Sequence, residues 1–527
     1  MHWEVPDELT PKEERLVRRM RRKSKFYLFL RQIRGELFDE AFQEELAAAY
    51  RPRGQDPVPP ALLAMVLILQ AYTGLSDADA VDTAEMDQRW QLVLGTLGQD
   101  EAPFGQGSLP RFRERLAAHD LDRRLVERTV ELAKKTKAFG WQKLKAALDS
   151  SPLRGAGRVE DTWNLIGRAM ANMVGILAKL CVAPPIAIIR DANLTILEGS
   201  SVKAALDIDW NDKGQRAEAL GRVVTEARAL LSWAREHAPE QMNHPKMRDA
   251  AELLERVLGQ DTEPDPDQPG GIRIRNGVAA DRVCSVGDPE MRHGRKSRTK
   301  AFNGYKRYVA TMVDSPLILY AEARPANVPE REAVPSLVDS LGAFGELELL
   351  YIDRGFLAHD RITKLDRNGV KIFCRPWRDQ SLPGQFSKRD FKIDLRSRSV
   401  TCPAGETAYY TVPKRTAVFG EVCDERHIRE GCTESPSGRS IRVHPQESLL
   451  RRLSRRCSTK QGRSALRPRV AVEHRLARLG SLQTSRARYK GTRKNTLDVR
   501  RCAAVSNLLE IHARLADEQS ESMPLAA

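Results

Sequence analysis

The 527-residue sequence has no uninterrupted apolar stretch long enough to cross a bilayer. The run from Ala61 to Ala71 is too short, and the one from Ala169 to Ile189 is broken by Asn172, Lys179 and the pair Pro184-Pro185. No membrane segment is expected. The start, MHWEVPDELTPKEERLVRRMRRKSK, is charged throughout and lacks the apolar stretch of a secretory leader. Cysteine follows no framework spacing: the eight residues at 181, 284, 374, 402, 423, 432, 457 and 502 are scattered. That pattern argues against a disulfide-stapled secreted scaffold and suits a reducing, cytoplasmic setting. No internal repeat is apparent, which argues against a solenoid or propeller. Acidic residues are in deficit. Against 86 Lys and Arg stand 71 Asp and Glu, a net +15. The excess favours a polyanionic partner, because each neutralised phosphate releases condensed counterions. The chain also exceeds one compact core, so several domains or large insertions are expected.

Residues 1–26 read as a basic arm, in which Arg18 to Lys23 are either a flexible extension or a charged tail. Residues 27–140 read as a helical, DNA-binding domain. Leu62, Leu63, Val66 and Leu67 follow a helical period after Pro59-Pro60, and further helices are expected after Ser76-Asp77 and after Ser108. The pattern fits a helix-turn-helix-like module and a plain helical bundle equally well.

Residues 141–515 mix strands and helices, and 516–527 read as a frayed tail. Leu144 to Leu148 reads as a short strand ending in Asp-Ser-Ser-Pro. A helical insertion follows over 164–270, closed by a loop at 261–271. FNGYKRYVATMV and LILYAEARP, separated by Asp314-Ser315-Pro316, form a hairpin. A helix over about 328–342, the strand ELELLYID, a short helix and the strand VKIFC come next. Residues 375–460 read as an irregular, Cys-containing insertion with short strands, and helices close the domain over about 468–482 and 496–515. Without its insertions this order gives an α/β fold, a mixed sheet with helices on its faces.

Phosphodiester chemistry with divalent metals needs carboxylates held rigidly at strand ends or on a facing helix. Asp149 and Asp353 each close an apolar strand, so neighbouring strands would bring both to one sheet edge. The competing role for each is a turn residue or helix cap. Glu473 lies in RVAVEHRLARLG at the rim of the stripe formed by Val472, Leu476 and Leu479. Ala477 and Gly480 on its own face would leave room for an ion and a phosphate. A solvated surface Glu is the competing account. Asp161, Asp288 and Glu290 are rival acids in polar segments.

These residues fall in blocks that resemble bacterial insertion-sequence transposases with a DDE catalytic domain of RNase H-like fold. PALLAMVLILQAYTGLSDADAV…DQRWQLVLG and SLPRFRERL resemble the transposase N-terminal domain. ALDSSPLRGAGRVEDTWNLIG resembles the block of the first catalytic Asp, which falls on Asp149. DPEMRHGRKSRTKAFNGYK and RPANVPEREA resemble the central blocks. YIDRGF puts the second Asp on Asp353, and RVAVEHRLARLG…RARYKGTRKNTLDVRRCAAVSNL puts the Glu on Glu473. The resemblance implies a transposase using Mg²⁺, or Mn²⁺ in its place, held by Asp149, Asp353 and Glu473. It implies cleavage at double-stranded terminal inverted repeats and joining to target DNA, by a dimer or larger synaptic complex associated with the nucleoid. A DNA-binding remnant that regulates its element, or a nuclease that only hydrolyses, is the alternative.

The densest basic groups lie near these acids in sequence. Arg292, Arg295, Lys296, Lys300 and Lys306 form one, and Arg488, Lys490, Arg493 and Lys494 the other, with Tyr305 and Tyr489 among them. DNA phosphates are their expected partners, a solvated basic face the alternative. Cys402, Cys423 and Cys432 raise the question of zinc. Relatives carry a Cys-x₂-Cys pair here, whereas Arg426 replaces the second Cys, leaving His427 or His444 to complete a four-ligand site. Buried, unreactive thiols are the competing account.

Overall fold

The computed structural model describes residues 2–4, 6–51, 57–136, 139, 143–297, 299–377, 384–423 and 429–521. Its centre is a six-stranded sheet built from β1 (Leu144–Arg154), β2 (Arg292–Arg295), β3 (Ala301–Met312), β4 (Ile318–Pro325), β5 (Leu347–Tyr351) and β6 (Lys371–Phe373). The order is β4-β3-β1-β5-β6, with β2 beside the first residues of β3. β3 runs antiparallel to β1 and β4, while β5 and β6 continue the sheet in parallel from β1. A meander extended by two parallel strands is the RNase H-like arrangement expected from the sequence.

Strand alternation divides the core into two layers. Ala146, Leu148, Ala310 and Leu350 point into one, beneath helices that include Val334–Leu341. Ala147, Val309, Ala321 and Tyr351 point into the other, which is continuous with the N-terminal helices. Those helices are therefore not a separate bead but share a core with the sheet. The chief ones are α1 (Lys25–Leu37), α2 (Pro60–Thr73), α3 (Ser108–Ala118) and α4 (Leu121–Lys135). α2 is buried on every side from Pro60 to Ala71, which explains its nearly unbroken apolar sequence. Pro60 opens it, and Gly74, at φ 78°, closes it in the left-handed conformation.

The remaining long helices are α5 (Thr162–Leu180), α6 (Lys213–His237), α7 (Pro245–Asp261), α8 (Glu447–Ser458), α9 (Val470–Gln483) and α10 (Thr492–Glu521). α5, α6 and α7 surround their own core, the helical insertion between β1 and β2. Short strands within 392–442 surround a small core of Phe391, Val400, Phe419 and Ile441. α10 does a job that its sequence hides: it completes the backbone of edge strand β4. Asn507 Oδ1 accepts the Ile318 N–H at 2.7 Å, and its Nδ2 donates to the Ile318 carbonyl at 2.9 Å. Arg500 donates to the Ala321 carbonyl and Thr496 bonds both backbone groups of Ala323. The covered edge cannot recruit another strand.

Several boundaries differ from the sequence reading. β1 does not end at Leu148 but runs to Arg154, because β3 pairs with it throughout while β5 accompanies it only to Ala147. Pro152 is tolerated on the side that β5 has left. The 261–271 loop is pinched by a ribbon pairing Thr262–Pro264 with Ile272–Ile274. α8 occupies the end of the segment expected to be irregular, and α10 continues to Glu521. The N-terminal arm is docked. A capping box at Thr10 starts the helix Pro11–Arg19, and Glu13 forms a buried 3.3 Å ion pair with Arg31 of α1. Among the described residues no single helix is long and apolar enough to cross a membrane.

Candidate active site

Two neighbouring strands deliver the two aspartates. Asp149 sits inside β1 opposite Val309, two residues beyond the last pairing with β5, and is buried. It is neither turn nor cap. Asp353 follows the end of β5 at the N-cap position of the short helix Arg354–Leu357, yet its side chain makes no capping bond. Its carboxylate is thus free to face outward and is about half exposed.

Both aspartates meet one guanidinium. Arg469 contacts Asp149 Oδ2 at 3.2 Å and Asp353 Oδ1 at 2.7 Å. It sits at the start of α9, and Glu473, one turn further on, is exposed and lies close enough for its charge to act on Arg469. The structure therefore gathers the three predicted acids around the N-terminal turn of α9. Among the described residues no three His, Cys, Asp or Glu side chains stand close enough to share a metal ion. Between Asp149 and Asp353, Arg469 supplies the positive charge instead.

Burial raises the Asp149 carboxyl to about 6, with the negative charges of Asp353 and Glu330 adding to the effect. Arg469 and the Ser150 N–H, which donates to Oδ1 at 2.7 Å, oppose it. Glu330 is an acid that the sequence reading gave no role. Its Oε1 accepts a 2.6 Å bond from the Ser150 hydroxyl. Its Oε2 packs so tightly on Gly355 that a Cβ there would come within 1.9 Å. Glu330 thus bridges the chain beside Asp149 to the turn beside Asp353. Helical spacing could have exposed Arg469, four residues before Glu473; nothing local in the sequence marks Glu330.

The rival acids have structural work. Asp161 caps α5 and pairs with Lys203, Asp288 accepts bonds from the Tyr305 hydroxyl and the Gly491 N–H, and Glu290 accepts from the Thr492 N–H. The space foreseen over Gly480 is taken by Arg307, which lies 3.7 Å from a Cβ built there.

The basic clusters divide. Arg292 is buried and pairs with Asp281 at 2.7 Å. Arg493 reaches Asp122 and the Ala117 carbonyl, locking α10 to the N-terminal helices. Arg488 bonds the Leu75 carbonyl, Lys306 bonds the Val328 carbonyl, and Tyr305 is fully buried. Each of these five has an intramolecular partner. Tyr489 is half-buried beside Arg113 and Arg501. Arg295, Lys296, Lys300, Lys490 and Lys494 are exposed.

Cys402, Cys423 and Cys432 line one small cavity with Phe391 and Phe419. Burial raises the Cys432 thiol, and all eight cysteines are free. His444 does not join them but faces Trp377, at 5.7 Å between ring centroids. Arg426 and His427 lie outside the described residues.

Two family models match the chain. One, described as "Transposase DDE domain", covers residues 280–508, including Asp353 and Glu473 but not Asp149. The other, described as "Transposase domain", covers residues 14–115 in the N-terminal helices. Comparison with curated proteins and with solved structures gives no match.

Proposed function

The chain belongs to the DDE transposases of insertion sequences, enzymes that act on DNA, and from that premise we propose that Asp149, Asp353 and Glu473 hold divalent cations for strand cleavage and strand transfer. The observation that carries this reading is the meeting of Asp149 and Asp353 on the cationic group of Arg469, with Glu473 one helical turn away.

The donor set fits a hard cation. All three ligands are carboxylates, and Arg469 already stands in as a positive charge between two of them. Mg²⁺, or Mn²⁺ in its place, when bound would polarise phosphoryl oxygens and stabilise the charge that builds on the attacking and leaving oxygens. The chain itself contributes rigidity. Asp149 is fixed by strand pairing on β3 and by the Ser150 N–H; Glu330 holds the Ser150 hydroxyl and packs on Gly355. Arg469 neutralises the aspartates in the free enzyme, and yielding them lets it turn toward Glu473 or a DNA phosphate.

The reaction consists of two in-line displacements at phosphorus. In the first, a water oxygen bonds to phosphorus, the bond to the 3′-oxygen breaks, and the water's proton passes to solvent. In the second, the freed 3′-hydroxyl oxygen attacks a target phosphorus, and that strand's 3′-oxygen leaves. Both need the same positioning and electrostatic complementarity. Lys296, Lys300, Lys490 and Lys494 serve as phosphate contacts, and two copies bridge paired element ends.

The test incubates purified protein with DNA carrying the element's terminal inverted repeats and Mg²⁺, alongside Asp353→Asn. Nicked and joined products from the wild type, and neither from the variant, are expected. Nicked products alone would indicate a hydrolytic nuclease. No product, with end binding intact, would indicate a DNA-binding remnant.

A further inference from the structure

Beside the acids lies a groove that none of the basic clusters in the sequence points to. Its floor begins at Trp377, just beyond β6. β6 ends at Phe373, and the next residue, Cys374, lies close enough to Asp353 for that charge to act on its thiol. Trp377 follows three residues later, at most about 11 Å along the chain. One wall is α8, whose Arg451, Ser454, Arg455 and Ser458 fall on a single helical face. That wall is fixed: Arg456, on the opposite side, stacks on Phe373 at 4.3 Å and donates to the Ile372 carbonyl at 2.8 Å. The other wall is the small β-module, contributing Lys392 and Arg442.

Charge in the groove has one sign. The single acidic lining residue, Glu447, is buried and already paired with Lys388 and Arg451. Lys392, Arg442 and Arg455 are exposed and, among the described residues, pair with no carboxylate. Among them Trp377 is 39 % exposed, a large flat ring left accessible in a chain that buries most of its aromatics. His444 backs it at 5.7 Å, with the rings inclined by 46°.

We propose that this groove binds an unpaired DNA strand, with a base stacked on Trp377 and successive phosphates held by Arg442, Arg455 and Lys392. Cations alone would suit any polyanion. The indole selects a partner with flat rings, and an unpaired strand presents base faces along its length, whereas inside a duplex the bases cover one another. The inference rests on the reading of the chain as a strand-processing enzyme. It assigns the single strand exposed next to the cut to a place on this protein.

The test measures binding in EDTA, so that no catalysis is involved. The probe is a 12-nucleotide strand with a terminal 2-aminopurine, compared with the same sequence as a blunt duplex. Trp377→Ala should weaken single-strand binding about tenfold and abolish the fluorescence quenching caused by stacking. Trp377→Phe should retain both, and duplex binding should change less than about threefold. Arg442→Ala with Arg455→Ala should lower the single-strand salt slope by about 1.4, a readout that does not depend on the fate of the indole. Unchanged single-strand affinity and quenching in Trp377→Ala would overturn the proposal. So would displacement of the strand by polyglutamate as readily as by unlabelled oligonucleotide, which would make the groove a site for acidic protein. Strand binding lost in Trp377→Ala while the wild type fails to cleave element ends would support the groove and count only against the transposition mechanism.

Discussion

Replacing Asp149 with Asn should stabilise the metal-free protein at neutral pH, although it removes an ion pair. The Asp149 side chain is 11 % exposed, and burial raises its carboxyl from 3.8 to about 6. A carboxyl raised in the folded state favours folding when protonated, so stability is lost as pH climbs from about 4 to about 6. A shift of two units corresponds to about 3 kcal/mol at pH 7 to 8. Asn keeps an acceptor for the Ser150 N–H and carries no charge, so the variant should gain up to about that amount above pH 6 and nothing at pH 4. The chain has several cores and is not expected to unfold in one step. The suitable assay is therefore hydrogen exchange of the β1 amides in EDTA at a series of pH values. Added Mg²⁺ should narrow the difference by stabilising the wild type, and cleavage should fall as protons compete with the cation below about pH 6. A variant less stable than wild type at pH 7, or a difference unchanged from pH 4 to 8, would show that burial does not penalise the Asp149 charge.

Gly355→Ala should displace Glu330, because the new Cβ would fall 1.9 Å from its Oε2; cleavage should drop, and Glu330→Ala added to that variant should relieve the clash, as single-turnover assays would show. Asn507→Ala strands the Ile318 N–H and carbonyl in the core and should cost about 2–4 kcal/mol, measured by hydrogen exchange of the β4 amides. Lys490→Ala with Lys494→Ala should reduce the salt slope of duplex affinity by about 1.8, whereas Arg493→Ala, which breaks the contact with Asp122, should lower stability and leave that slope unchanged.

Local patterns carried much of the architecture. Alternation over Ala301–Met312 and the Asp314-Ser315-Pro316 break marked the hairpin, and Pro59-Pro60 marked the start of α2. The boundary at Asp149 was not legible, because β1 runs on only through its long pairing with β3. Charge patterning also hides long-range ion pairs. Arg493 reads as one more cation in a basic run, yet its partner Asp122 is 371 residues away in the chain. Tyr305 lies beside a basic run, yet it is buried and its hydroxyl donates to Asp288. Arg469 and Glu330 were missed because each acquires its role from strands distant in sequence. Trp377 was missed because the groove exists only once α8 packs along β6.

In the proposed mechanism three separated segments hold divalent cations together. This is tested most directly by loading the protein with Fe²⁺ in place of Mg²⁺ and generating hydroxyl radicals at the bound ion with ascorbate and peroxide. The polypeptide should break near Asp149, Asp353 and Glu473, excess Mg²⁺ should suppress all three breaks together, and Asp353→Asn should abolish them. Breaks confined to one of these segments, or clustered elsewhere in the chain, would contradict the claim.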